Sequence, residues 1–402
     1  MLTATALAFT MVVPSLMQFA LGALGPLLTA EFDLSRSDLG LVTGFYYLAA
    51  AVFSPLMGRW VGFFGARVAT ALTVVLSIAG AASFAASGNL VWVVVSVLIG
   101  GAAGAMANPA TNFAISALPQ PHAMLIGVKQ SGVQVGALLA GAALPSIALA
   151  FGWQAAFLAC CAVGVVGLSS VAVMPATARH RPPKLFRRSA VDVGRVTWLS
   201  IYSALVGAGM ATINTYLVLY AHEKAGISLS VAGAMLAALA VCAVLSRIAS
   251  AMFVEAAASA VPAGIRMLRW MALVGFGSTV AIGLAELIGP TGLWLGATGV
   301  GFSAAAMNGV ANLVVIRTAK AGAVGHASGR MQGSFFGGLL LGPPVFGWLV
   351  DSTGRYAVGW GLTAVCFAAA AVVASAARVR RAADAAALDP VDSARDRLDT
   401  DV

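Results

Sequence analysis

The chain has 402 residues, of which 60% are hydrophobic and 9% charged, and its formal net charge is +9. A soluble domain carries about 25% charged residues, so this composition excludes a soluble globular protein and indicates a polytopic membrane protein. In such a chain a positive balance reports the placement of Lys and Arg in loops beside membrane helices, not an affinity for nucleic acid.

Apolar runs of about 20 residues, enough to cross a bilayer, recur along the sequence. They predict twelve helices, at 5–29, 39–57, 68–87, 90–115, 122–149, 153–174, 197–220, 230–254, 265–287, 291–316, 325–350 and 357–377. The first run lacks a basic leader and is too long for the apolar part of a signal peptide, so it reads as helix 1. Residues 176–195, between helices 6 and 7, form a basic linker containing two prolines. Residues 379–402 are acidic and alanine-rich and read as a disordered tail. The expected organisation is a six-helix bundle over 1–175, the linker, a second bundle over 196–378, and the tail. Cys160, Cys161, Cys242 and Cys366 all fall in apolar runs without metal spacing and read as small buried hydrophobes.

Basic residues set the expected orientation. Arg59 and Arg67 follow helix 2, six basic residues lie between Arg179 and Arg195, and Arg266, Arg269, Arg317, Lys320, Arg378, Arg380 and Arg381 fall on the same side. The other side holds Arg36, Lys224 and Arg355. This asymmetry places both termini in the cytoplasm.

A gapless shift of 201 residues superimposes Gly100 on Gly301, Met106 on Met307, Lys129 on Arg330, Gly132 on Gly333 and Gly141 on Gly342. Helices 4–5 therefore repeat as helices 10–11, with their membrane orientation kept. Parallel six-helix halves are a transporter architecture with the solute site near the midplane between them. The loop after helix 2 reads "SPLMGRWVGFFGAR". With its Gly58, Gly65 and Arg67, it resembles the glycine-rich basic loop of the major facilitator superfamily. Gly62 stands where that loop has an acid, and Ala66 where it has an arginine. Helix 8 ends "SRIASAMFVE", with Arg247 and Glu255 at the family's arginine-to-acid spacing. The glycine-rich ends of helices 5 and 11 fit as well. The resemblance covers about residues 5–378 and implies an all-α fold of twelve helices in two parallel pseudo-repeats, with both termini cytoplasmic. The stretch "GWLVDSTGR", at 347–355, also copies the loop motif, but topology assigns it to an outer turn.

Ionisable residues within membrane helices are costly and point to function. Here they are Lys129 in helix 5, Arg247 in helix 8 and Arg330 in helix 11, with no Asp or Glu at mid-helix. At about 1.5 Å per residue, Arg247 falls on the order of 6 Å from the midplane, and Lys129 and Arg330 about 10 Å or more. Cations without carboxylates suggest an anionic solute, and an arginine fork matches a carboxylate in two hydrogen bonds. The alternative for Lys129 and Arg330 is that they hold helix ends against inner loops. For Arg247 it is that it closes the inner gate. The resemblance supports a solute role for Arg247 and Arg330. Family members carrying monocarboxylates or oxalate have a helix-8 arginine, oxalate carriers add a basic residue in helix 11, and "GVKQSGVQVG" looks like cyanate-permease-like members.

Gln18, Tyr46, Asn112, Gln130, Gln134, Asn214 and Asn308 are further candidate ligands. Intramembrane amides serve equally as links between helices. Gly58, Gly65, Arg67 and Glu255 are the candidate gate residues.

No G-x-x-x-x-G-K-[ST] run is present, so ATP is not the expected driver and no cofactor is expected. The expected function is secondary transport of a small anionic solute by a monomer in a bacterial cytoplasmic membrane. Its expected partners are the solute and the bilayer, not nucleic acid. Drug or metabolite efflux is the alternative, and a non-transporting sensor a third reading. No arrangement suggests an enzyme.

Overall fold

The computed structural model describes residues 2–118, 123–175, 197–255, 257, 259–318 and 324–399. Among these residues all regular structure is helical. Twelve helices are long and apolar enough to cross a membrane. They are α1 (Leu2–Ala23), α2 (Arg36–Ser54), α3 (Ala66–Ala85), α4 (Leu90–Ser116), α5 (Leu125–Phe151) and α6 (Trp153–Val173), then α7 (Thr197–Glu223), α8 (Leu229–Val254), α9 (Val261–Gly283), α10 (Pro290–Val315), α11 (Ala327–Thr353) and α12 (Tyr356–Val379). The starts of α1 and α7 and the ends of α6 and α12 share one face, here called terminal; the opposite face is distal.

Two segments depart from expectation. The loop predicted after helix 2 is mostly helix: α2 continues to Phe64 and stops at Gly65. The φ of 85° at Gly65 is open to glycine and strained for other residues, so the turn into α3 reduces to one position. The helix containing α12 continues to Asp399, where the composition had suggested disorder. Runs such as 385–387 are pure alanine, the strongest helix former. The linker at 176–195 lies outside the described residues.

Packing repeats with an offset of six helices. α1 lies on α5 and α7 on α11; α2 lies on α4 and α8 on α10; α3 lies on α6 and α9 on α12. The two sets meet mainly where α2 crosses α11 and α5 crosses α8, with α1 beside α7. Glycine makes the second crossing close: a Cβ on Gly141 would stand 2.5 Å from the Gly233 carbonyl oxygen. Small residues let membrane helices approach to this distance. All four cysteines are free.

α10 is interrupted. Its first segment ends at Phe302, Ser303 adopts φ −119° and ψ −92°, a 3-10 turn covers Ala304–Ala306, and α-helix resumes at Met307. Carbonyls freed by such a break need donors. α8 supplies them: Ser246 Oγ donates to Phe302 O at 2.5 Å, and Arg247 Nη2 to Ala305 O at 3.1 Å.

Candidate functional site

Lys129 is almost fully buried, at 1% exposure. Its Nζ donates to Asn112 Oδ1 at 2.5 Å, Asn108 Oδ1 at 3.2 Å and Thr111 Oγ1 at 3.2 Å. These three acceptors sit at i, i+3 and i+4 on one face of α4. An ammonium has three donors, so neutral oxygens take all of them. Lys129 therefore turns into α4 and does not reach a loop at the terminal surface. Thr111, which sequence reasoning passed over, completes the set, and its position between Asn108 and Asn112 was the available signal.

Arg247 joins the two sets of helices. Nη1 donates to the Gln130 carbonyl of α5 at 3.3 Å, and Nη2 to the Ala305 carbonyl in the break of α10. Its Nε is buried with no partner. The Gln130 backbone, and not its amide side chain, makes this contact. Gln134 is buried one turn further along α5.

Among the described residues neither Lys129 nor Arg247 has a carboxylate partner. Among the described residues the ion pair that forms is Arg36–Glu223, at the distal face. Arg330, the repeat mate of Lys129, is exposed near the terminal end of α11. The repeat breaks down here because α5 and α11 present different faces. Gly132 and Gly136 pack on α1 at Ala8 and Ser15, whereas their mates Gly333 and Gly337 have no neighbour within 4 Å of a Cβ.

The neutral candidates divide. Gln18 Nε2 donates to Tyr47 Oη at 3.2 Å. Tyr46 is buried and donates its hydroxyl to the Pro14 carbonyl at 3.1 Å, so it ties α2 to α1. Asn214 Oδ1 in α7 and Asn308 Oδ1 in α10 are buried without a hydrogen-bond partner. Of the gate residues, Arg67 Nε donates to Met174 O at 2.7 Å and so fixes the start of α3 to the end of α6. Gly58 lies in the helical extension of α2 and Glu255 ends the helix of α8. The surroundings of both lie outside what the structure describes.

The distal face holds a network that sequence reasoning missed. Asp351, at the end of α11, accepts from the backbone N–H of Arg36 at 3.3 Å and of Ser37 at 2.7 Å, and from Ser37 Oγ at 2.5 Å. A carboxylate thus caps the first turn of α2, where the helix dipole favours negative charge. Arg36 Nη2 donates to Glu223 at 2.8 Å, and Tyr356 Oη to the same oxygen at 2.9 Å. Tyr216 Oη lies 2.6 Å from Arg36 O and 2.9 Å from Pro343 O. The stretch 347–355, read from sequence as an outer turn, therefore contains the residue that clasps α2.

The Major Facilitator Superfamily profile matches residues 7–297. The chain belongs to the major facilitator superfamily. It is a multi-pass membrane transporter. A hexuronate transporter of Bacillus subtilis (strain 168) is 25% identical over 149 residues, which is 37% of this chain and 35% of that protein. The match thus spans about a third of the relative's length. Among solved structures, the nucleoside transporter NupG superimposes with a TM-score of 0.75 at 16% identity, over 94% of this chain and 100% of that one. A bacterial homologue of the human lysosomal transporter Spinster, inward-facing and occupied, gives 0.72 at 16% identity, over 93% and 96%. A peptide transporter in complex with sulfate gives 0.74 at 14% identity, over 93% and 94%. At these identities the likeness establishes the fold.

Proposed function

We propose that this facilitator moves a small carboxylate-bearing solute across a bacterial cytoplasmic membrane by alternating access between its two six-helix sets. The observation that carries this reading is the pair Lys129, buried, and Arg247, half-buried with a buried Nε, both hydrogen-bonded by neutral oxygens alone among the described residues. Buried charge is costly unless paired, and arginine does not deprotonate in proteins. A solute carboxylate supplies the missing negative charge. The unpartnered Nε of Arg247 leaves a hydrogen-bond donor for that carboxylate.

The orphan oxygens of Asn214 and Asn308 are acceptors and call for a donor on the solute. A hydroxylated acid meets both demands. The matching relative is named for hexuronates, which are such acids.

The basic loop residues support a cytoplasmic terminal face. The Asp351–α2 clasp closes the distal face, while Gly333 and Gly337 of α11 have open space beside them nearer the terminal face. We read this conformer as open to the cytoplasm. Rocking of the sets would break the clasp and expose the site on the other side.

Counterflow in proteoliposomes tests the class. Radiolabelled glucuronate, acetate and oxalate are compared with a cationic dye and a neutral nucleoside. Saturable exchange of at least one acid, without exchange of the dye, is the expected result. Exchange of the dye or nucleoside with none of the acids contradicts the reading.

A further inference from the structure

The terminal half of α4 borders a hollow of about 520 Å³ between α4 and α2, and its polar wall is Ser54, Asn108, Asn112 and Ser116. Among the described residues no acidic side chain lines it. Lys129 lies behind this wall and determines what the wall presents. An ammonium only donates, so Asn108 and Asn112 must turn their Oδ1 atoms to Nζ, as they do at 3.2 and 2.5 Å. What each amide retains for the hollow is its NH₂ group. Asn112 is exposed and Asn108 half-buried. The wall therefore combines amide N–H donors with a buried positive charge directly behind them. An oxygen hydrogen-bonded to Asn112 Nδ2 would stand roughly 5–6 Å from Nζ, from the hydrogen-bond length and the width of an amide. That is within the range where opposite charges attract appreciably.

We infer that this hollow is an anion-binding vestibule, in which the amide groups of Asn108 and Asn112, turned outward by Lys129, hold a carboxylate or similar small oxyanion at the terminal side of α4. It is distinct from Arg247, which reaches α5 and α10 and touches none of these residues. Its role as a waiting station for the solute rests on the anion reading given above; its capacity to bind an anion does not. Lys129 is thus a positioning residue, and Asn108 and Asn112 supply the contacts. The repeat does not duplicate this site: the 201-residue shift places Gly309 and Leu313 where the first half has Asn108 and Asn112.

The test is equilibrium binding of radiolabelled oxalate to the purified full-length protein in detergent. Arg247→Ala removes the central arginine, so binding left in that variant reports the vestibule. The expected result is residual oxalate binding in Arg247→Ala. Adding Asn112→Asp should weaken it at least tenfold, because the new carboxylate pairs with Lys129 and repels the anion. Asn112→Leu and Lys129→Met in the same background should weaken it as well, with melting temperature and elution volume showing that each variant is folded. Loss of all binding on Arg247→Ala alone overturns the vestibule, and so does residual binding that Asn112→Asp and Asn112→Leu leave unchanged. Uptake of acids by the wild type is measured separately. Uptake without vestibule binding overturns the vestibule alone, and vestibule binding without uptake of any acid overturns the transport reading alone.

Discussion

Replacing Asp351 with Asn should loosen the distal face by an amount that the clasp geometry sets. The carboxylate accepts from two backbone N–H groups and one hydroxyl at the start of α2. Asparagine keeps one acceptor but removes the charge. A charge at a helix N-terminus contributes about 0.3–1 kcal/mol, and a hydrogen bond to a charged group about 1 kcal/mol more than a neutral one. Asp351 is exposed, so solvent screening holds the total to about 1–1.5 kcal/mol. That corresponds to a distal-open population raised roughly five- to thirteenfold, of which about fivefold is the least the geometry allows. The readout is labelling of Thr215→Cys, in a background lacking the four native cysteines, by a membrane-impermeant maleimide added at the distal face. Thr215 is 1% exposed in α7, so its labelling rate follows opening. A rate roughly five- to thirteenfold faster in Asp351→Asn is expected. An unchanged or slower rate would refute the view that Asp351 holds the distal face shut.

Four further outcomes follow from the packing and the buried charge. Tyr216→Phe loses its contacts to the Arg36 and Pro343 carbonyls, and should raise distal labelling by a similar factor, about 1–1.5 kcal/mol, without adding fully to Asp351→Asn. Gly141→Leu forces a side chain into the α5–α8 crossing and should cost about 1–3 kcal/mol or more, read as a lowered melting temperature in detergent. Gly277→Ala, in α9 with nothing within 4 Å of its Cβ, should hold or slightly raise the melting temperature, since alanine favours helix over glycine. Lys129→Met should keep the protein folded yet reduce acid uptake at least tenfold, about 1.4 kcal/mol or more of lost transport efficiency. Wild-type uptake in that variant would assign Lys129 a packing role only.

The helix count and the six-plus-six repeat are legible in the sequence because bilayer thickness fixes the length of an apolar run. The absence of carboxylates from the core is legible for a similar reason, since every charge in an apolar run stands out. Other features depend on contacts that no run of residues encodes. Lys129 and Arg330 align in the repeat, yet one is buried against α4 and the other is exposed, because the glycine faces of α5 and α11 meet different neighbours. The break in α10 occurs at Ser303 within "GFSAAAM", which contains no proline, so local propensity does not announce it. Asp351 lies in a recognisable motif, but its partners at the start of α2 are more than three hundred residues away in sequence. Tyr46 and Gln18 are both candidates in the sequence as polar residues in apolar helices. Only the fold separates Tyr46, whose hydroxyl is taken by a backbone carbonyl, from Gln18, which meets Tyr47.

The account rests on an unpaired cationic core that receives a solute anion, and uptake of a radiolabelled acid into proteoliposomes containing wild type, Arg247→Lys or Arg247→Ala tests it most directly. The acid is the one that exchanges best in the wild type. The predicted result is partial uptake with Arg247→Lys, which keeps the charge but loses the fork, and none above empty liposomes with Arg247→Ala. Uptake at the wild-type rate by a folded Arg247→Ala would contradict the account.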